Sequence, residues 1–213
     1  MYNVPVTTHS ANTQITRSSA VLLLSALLSG CATNLPQFAE SVGQGESLVA
    51  GQVVTVITGE RTRIYQPEVR MFELINQESG ERFSVEIDSG PGTFSLSLAS
   101  GSYQLSRVQI SEGPFMSMAE LTVKFPVEQE VVTYLGTWRF GVDSPQYGRM
   151  VALSIVDDKK INEVLDPLVN ERYSAQASQP RKTVMPTPSQ SETRLYEVMS
   201  YPNDLPYFRR HLW

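Results

Sequence analysis

The sequence predicts a mainly β protein built as an antiparallel β-sandwich. Two observations carry this expectation. Between Leu48 and Val156 apolar residues recur with a period of two, the pattern of strands with one face on a core and one face in water. Glycine-containing connections separate these runs at short intervals, which favours hairpins and a sandwich over strands alternating with helices.

The first thirty residues stand apart from that pattern. Arg17 precedes the apolar run 20–28, and Ser29, Gly30 and Cys31 follow it; Cys31 is the only cysteine in the chain. A basic flank, a short apolar core and a small-residue end are the layout of a secretory signal peptide. The run is shorter than the about 20 apolar residues that a membrane-spanning helix needs. Leu28–Ser29–Gly30–Cys31 resembles the bacterial lipobox, in which cleavage leaves a lipid-modified cysteine at the new N-terminus. The resemblance implies that residues 1–30 are removed and that Cys31 carries a thioether-linked lipid with acyl chains such as palmitate. The membrane is then the first expected partner, held through Cys31. Position 32 is Ala and not Asp, which resembles the default for transfer to the outer membrane, facing the periplasm. Residues 31–46 contain two glycines and a proline and read as a tether.

The sandwich is expected over residues 47–173, with a helix at its end. Phe83, Val85 and Ile87 alternate with polar neighbours, as do Phe94, Leu96 and Leu98, then Leu121, Val123 and Phe125, then Val151, Leu153 and Ile155. Val132, Tyr134, Trp138 and Phe140 are assigned to one face, opposite Thr133 and Arg139. Residues 77–81 and 99–102 read as hairpin turns. After Tyr103 and Leu105 the apolar phase slips to Val108 and Ile110, which predicts a bulge at Ser106–Arg107. Beyond Asp157 and Asp158, which can cap a helix, Ile161, Val164, Leu165 and Leu168 have helical spacing. Asp166–Pro167 suits the start of a second helix better than a helix interior, so a broken helix is expected over about 159–173. Residues 174–193 are polar and proline-rich and read as a linker. Residues 194–213 form an aromatic C-terminal tail, expected to fold back over a sandwich face or edge strand, with partner or membrane-surface contact as the alternative.

Phe94–Ser–Leu–Ser–Leu–Ala–Ser–Gly–Ser–Tyr–Gln–Leu105 resembles a motif of prealbumin-like, carboxypeptidase-regulatory-like β-sandwich modules, and Val132–Thr–Tyr–Leu–Gly136 resembles a later strand of the same modules in bacterial lipoproteins. The resemblance covers roughly residues 48–157. It implies a prealbumin- or Ig-like sandwich with an accessory role, binding or scaffolding, and no catalytic set of its own.

Composition narrows the function classes. Removing the leader takes Arg17 and no acid, leaving 16 Lys and Arg against 22 Asp and Glu, a net charge of −6. That charge argues against a nucleic-acid partner, which requires a basic stripe. The lone cysteine rules out an intramolecular disulfide framework, so stability must come from a hydrophobic core. His9 lies in the leader, leaving His211 as the only histidine beyond it, so no metal, cofactor or Ser–His–Asp site is expected. Paired carboxylates such as Glu86 and Asp88, or Glu120, Glu128 and Glu130, suit a solvent-facing sheet better than a hydrolase cleft. The residues expected to meet an envelope protein partner or a glycan ligand are Tyr134, Trp138, Tyr207, Phe208, Arg209, Arg210 and Trp213, because aromatics and Arg are enriched at recognition surfaces. Exposure of Tyr134 and Trp138 would favour a glycan-binding sandwich; their burial would oppose it. The leading expectation is a lipid-anchored cell-envelope protein that binds or scaffolds, not an enzyme.

Overall fold

The computed structural model describes residues 32–58, 65–88, 92–142, 150–156, 161–188, 192–194 and 196–197. Cys31 and the leader, Asp157 and Asp158, and the tail with Tyr207, Phe208, Arg209, Arg210, His211 and Trp213 lie outside the described residues.

The expected β class holds, with two sheets and one α-helix among the described residues. The strands are β1 (Thr33–Leu35), β2 (Glu46–Ile57), β3 (Pro67–Asn76), β4 (Arg82–Glu86), β5 (Thr93–Ala99), β6 (Gly101–Glu112), β7 (Phe115–Val127), β8 (Val132–Val142) and β9 (Met150–Val156). Helix α1 (Ile161–Arg172) and a short 3-10 turn at Ser174–Gln176 follow. Four short strands close the series: β10 (Arg181–Thr183), β11 (Thr187–Pro188), β12 (Glu192–Arg194) and β13 (Tyr196–Glu197). The first sheet has the order β1-β4-β3-β6-β7-β11, with β13 also on β7; the second has the order β12-β9-β8-β2-β5, with β10 also on β8. Most neighbours are antiparallel, but β1–β4, β2–β8 and β10–β8 are parallel, so both sheets are mixed.

The core fills the space between the sheets. Phe72, Leu74, Leu105, Val123 and Phe125 come from the first sheet, and Phe94, Leu96, Leu135, Trp138 and Phe140 from the second. Trp138 lies at the centre, with ring centroids 5.6 Å from Phe72, 5.5 Å from Phe94 and 6.2 Å from Phe125. These tilted and edge-on arrangements suit the ring quadrupoles. Its indole N–H donates to the Leu135 carbonyl at 3.1 Å, so the ring leaves no unpaired donor in the core.

A second apolar cluster lies on the other face of the second sheet. Leu165, Leu168 and Val169 of α1, with Tyr173, pack on Leu48, Ala50, Val132 and Tyr134. Phe38, Ala39 and Val42 complete it. Strand β8 is therefore covered on both faces. The single face expected for Val132, Tyr134, Trp138 and Phe140 is split: the first two meet the helix and the last two meet the sandwich core. The cause is a bulge. Ala50 pairs with Tyr134 and Gln52 with Thr137, so β8 carries one extra residue there. Gly136 takes the left-handed φ of +71° within it, a conformation open to glycine at no steric cost.

Other expectations meet mixed outcomes. The bulge at Ser106 is present, for the register skips from Leu105 to Arg107 against both neighbouring strands. The 77–81 turn joins β3 and β4 as a hairpin. Asn76 Oδ1 accepts from the backbone N–H of Glu78 and Ser79 at 2.9 and 3.1 Å, which shapes this turn. The 99–102 connection is not a hairpin: β5 pairs with β2 in one sheet and β6 with β3 and β7 in the other, so it is a corner between sheets.

Helix α1 is also continuous through Pro167 and not broken. Burial of Leu165, Leu168 and Val169 on one face outweighs the hydrogen bond that proline cannot make. The segment 31–46, read as a tether, belongs to the domain from Thr33 onward: β1 pairs with β4, and residues 37–39 bond along the edge of β5 through Ala39 N–H to Ser95 O (2.8 Å) and Ser95 N–H to Gln37 O (2.9 Å). The segment 174–193, read as a linker, supplies β10, β11 and β12 to both sheets. Its polar side chains hid this, because a short edge strand needs backbone partners more than apolar residues.

Candidate interaction face

The two sheets differ in what covers them. Helix α1 and residues 38–42 lie on the outer face of the second sheet. The outer face of the first sheet has no such layer among the described residues, and its surface is set by strand alternation. Phe72, Leu74, Val85 and Leu105 turn inward, so Met71, Glu73, Ser84, Glu86 and Gln104 turn outward. The Ser106 bulge shifts the phase of β6 and brings Arg107 into line with Glu73 and Glu120.

The result is a row of paired positions across four strands, Ser84–Glu73–Arg107–Glu120. Glu73 is 8% exposed, the most buried acid of this row. Its Oε1 accepts from Arg82 Nη1 at 3.2 Å and from Ser106 Oγ at 2.7 Å. Arg107 Nη2 lies 3.7 Å from Glu120 Oε1. A buried carboxylate held by a guanidinium and a hydroxyl is a fixed polar centre, with its charge compensated where it sits.

Two shallow depressions flank this row. One, of about 380 Å³, is lined by Arg70, Met71, Ser84, Glu86, Asp88 and Gln109 among others. The other, of about 370 Å³, lies over Glu73, Arg82, Gln104, Arg107, Glu120 and Thr193. Glu86 and Asp88 share one strand edge of the first depression, and the remaining lining residues put no acid opposite them. Glu128 and Glu130 belong to the exposed 128–131 turn and line neither depression. Among the described residues no group of three or more His, Cys, Asp and Glu side chains is placed to hold a metal ion, and no helix is long and apolar enough to cross a membrane.

Of the residues expected to make contacts, Tyr134 and Trp138 are both fully buried, and this corrects their assignment. Trp138 fills the sandwich core and Tyr134 lies under α1, so neither offers a ring to a ligand. The glycan-binding expectation loses the two side chains it named. The charged row was missed, although its signal was present: Glu73 is the polar residue in the run Met71–Phe72–Glu73–Leu74–Ile75, on the face opposite Phe72 and Leu74.

Fold and site together define a two-sheet β-sandwich with one face capped by a helix and the other, among the described residues, open and polar. No protein-family model matches the chain, and neither the curated proteins nor the solved structures contain a match.

Proposed function

We propose that this chain is a lipid-anchored cell-envelope protein that binds a protein partner in a scaffolding role. The observation that carries the reading is the sequence Leu28–Ser29–Gly30–Cys31 at the end of a short apolar run. Its resemblance to a lipobox supports an anchor at Cys31, and Ala32 supports the outer membrane with the domain in the periplasm. The prealbumin-like motif at 94–105 supports an accessory module. The open face of the first sheet supports a protein partner over a small ligand, because its depressions are shallow and the charges of its central row are already paired, as at the polar rim of interfaces. The aromatic and arginine-rich tail supplies a second contact element.

The test is growth with an alkyne palmitate analogue, then capture and mass spectrometry of the peptide beginning at Cys31. Label on Cys31, lost in Cys31→Ser, supports the anchor; an unlabelled protein that fractionates with soluble proteins overturns it. Crosslinking and purification from membranes then reads the partner. A specific partner lost when Arg107→Glu reverses the charge of the central row supports the binding face.

A further inference from the structure

Resting on the anchor at Cys31, we infer that the domain stands on the bilayer with one defined end: the end formed by turns 77–81 and 128–131 faces the lipid, and the β6–β7 turn at Gly113 points away. One residue, Ala32, separates Cys31 from Thr33, the first residue of β1. An extended chain spans at most ~3.6 Å per residue, so Cys31 lies within ~7 Å of Thr33. Thr33 is fixed in the first sheet. It pairs with Phe83, and β1 runs parallel to β4, so the anchor enters beside the turn that precedes Arg82.

The registers carry this end across the molecule. Asn76 pairs with Tyr103 and Gly101 with Val127, which brings the 77–81 turn, the 99–102 corner and the 128–131 turn to the same end. Glu46, opposite Ala99, begins β2 there. Strand β7 runs from Phe115 to Val127, 13 residues, so at ~3.3 Å per residue the Gly113 end is ~40 Å away.

A short leash alone would let the body tip onto its side. The side next to β1 gives no reason to do so. Its exposed residues include Thr33, Asn34 and the acids Glu86 and Asp88, which an anionic headgroup layer repels, and the arginines beside them, Arg70 and Arg82, are already paired with Glu68 and Glu73. Tyr65 and Phe115, two of the exposed large apolar side chains among the described residues, do not lie at the anchored end: Phe115 pairs with Glu112, and Tyr65 lies against Gly113. Upright placement also leaves the open face of the first sheet free for a partner beside it.

The test uses the chain from Cys31 onward, coupled through its single thiol to a maleimide phospholipid in nanodiscs that contain gadolinium-chelate headgroups. Amide NMR signals of Ser79, Gly80 and Gln129 are expected to lose most of their intensity, and those of Gly113 and Phe115 to keep theirs. A flexible Gly/Ser insertion between Ala32 and Thr33 is expected to erase the difference. Equal loss at both ends, or greater loss at Gly113, overturns the inference. Because the lipid is attached chemically, this result reports the geometry, whereas palmitate labelling in cells reports the anchor; each can fail without the other.

Discussion

Tyr173 shows how one hydroxyl can hold three parts of the chain. Its Oη lies 2.7 Å from Ser95 Oγ and donates to the Ala39 carbonyl at 2.6 Å, tying the end of α1 to β5 and to the segment along its edge. Tyr173→Phe is expected to cost ~1–2 kcal/mol in urea denaturation, because buried partners lose their hydrogen bond. Trp138→Ala should cost more, ~3–5 kcal/mol by the same measurement, since it empties the centre of the core. Tyr103 gives a pH dependence. Burial, the largest influence, pushes its phenol above its ordinary value of 10.0, with Glu81, Glu46 and Glu78 adding to the rise. The folded state then keeps a proton that the unfolded chain has lost. The associated stability is fully present below pH 10 and declines as the pH rises beyond it. Tyr103→Phe should flatten that alkaline decline in Tm against pH. At this scale the sequence was half legible. Trp138 and Tyr134 were recognisable as large side chains on a strand, but their faces depended on one extra residue beside Gly136, which no apolar period marks.

Among the elements, the two bulges make the same point from opposite sides. The slip at Ser106 was legible because apolar residues on both sides record the phase before and after it. The slip at Gly136 falls in a strand buried on both faces around it, so the large side chains before and after it keep an unbroken spacing of two that hides the extra residue. The 99–102 corner was misread for a different reason: a glycine turn says that the chain reverses, not which sheet the next strand joins. Helix α1 offers a direct test of packing against propensity. Pro167 is exposed, in the seventh position of the helix, and interrupts its hydrogen bonding without ending it. Pro167→Ala is expected to raise stability, by up to ~3 kcal/mol, read as a higher denaturation midpoint with an unchanged slope. A lower midpoint would mean that the proline stabilises this helix through the unfolded chain.

For the whole molecule, the decisive question is where the folded domain ends. Polar, proline-rich composition placed that end at Tyr173, yet the chain beyond it crosses between the sheets three times. Strand β10 lies on β8, with Val132 N–H donating to the Pro180 carbonyl (2.9 Å) and Val184 N–H to that of Tyr134 (2.8 Å). Arg181 pairs with Asp166 of α1 and Lys182 with Glu128. Strands β11 and β13 add to β7, and β12 to β9. These contacts are mostly backbone hydrogen bonds, which composition does not reveal. Two truncations separate the domain from its tail. A stop after Tyr173 removes β10 to β13 and strips partners from β7, β8 and β9; it is expected to cost at least ~2 kcal/mol, a fall in Tm of roughly 4–8 °C. A stop after Glu197 keeps every described strand and removes Tyr207, Phe208, Arg209, Arg210 and Trp213. If the tail serves a partner, this second variant melts with the full chain but loses the crosslinked protein. If it melts as low as the first, the tail is part of the fold, and the partner must be sought on the open face of the first sheet, where Arg107→Glu is the variant that reads it.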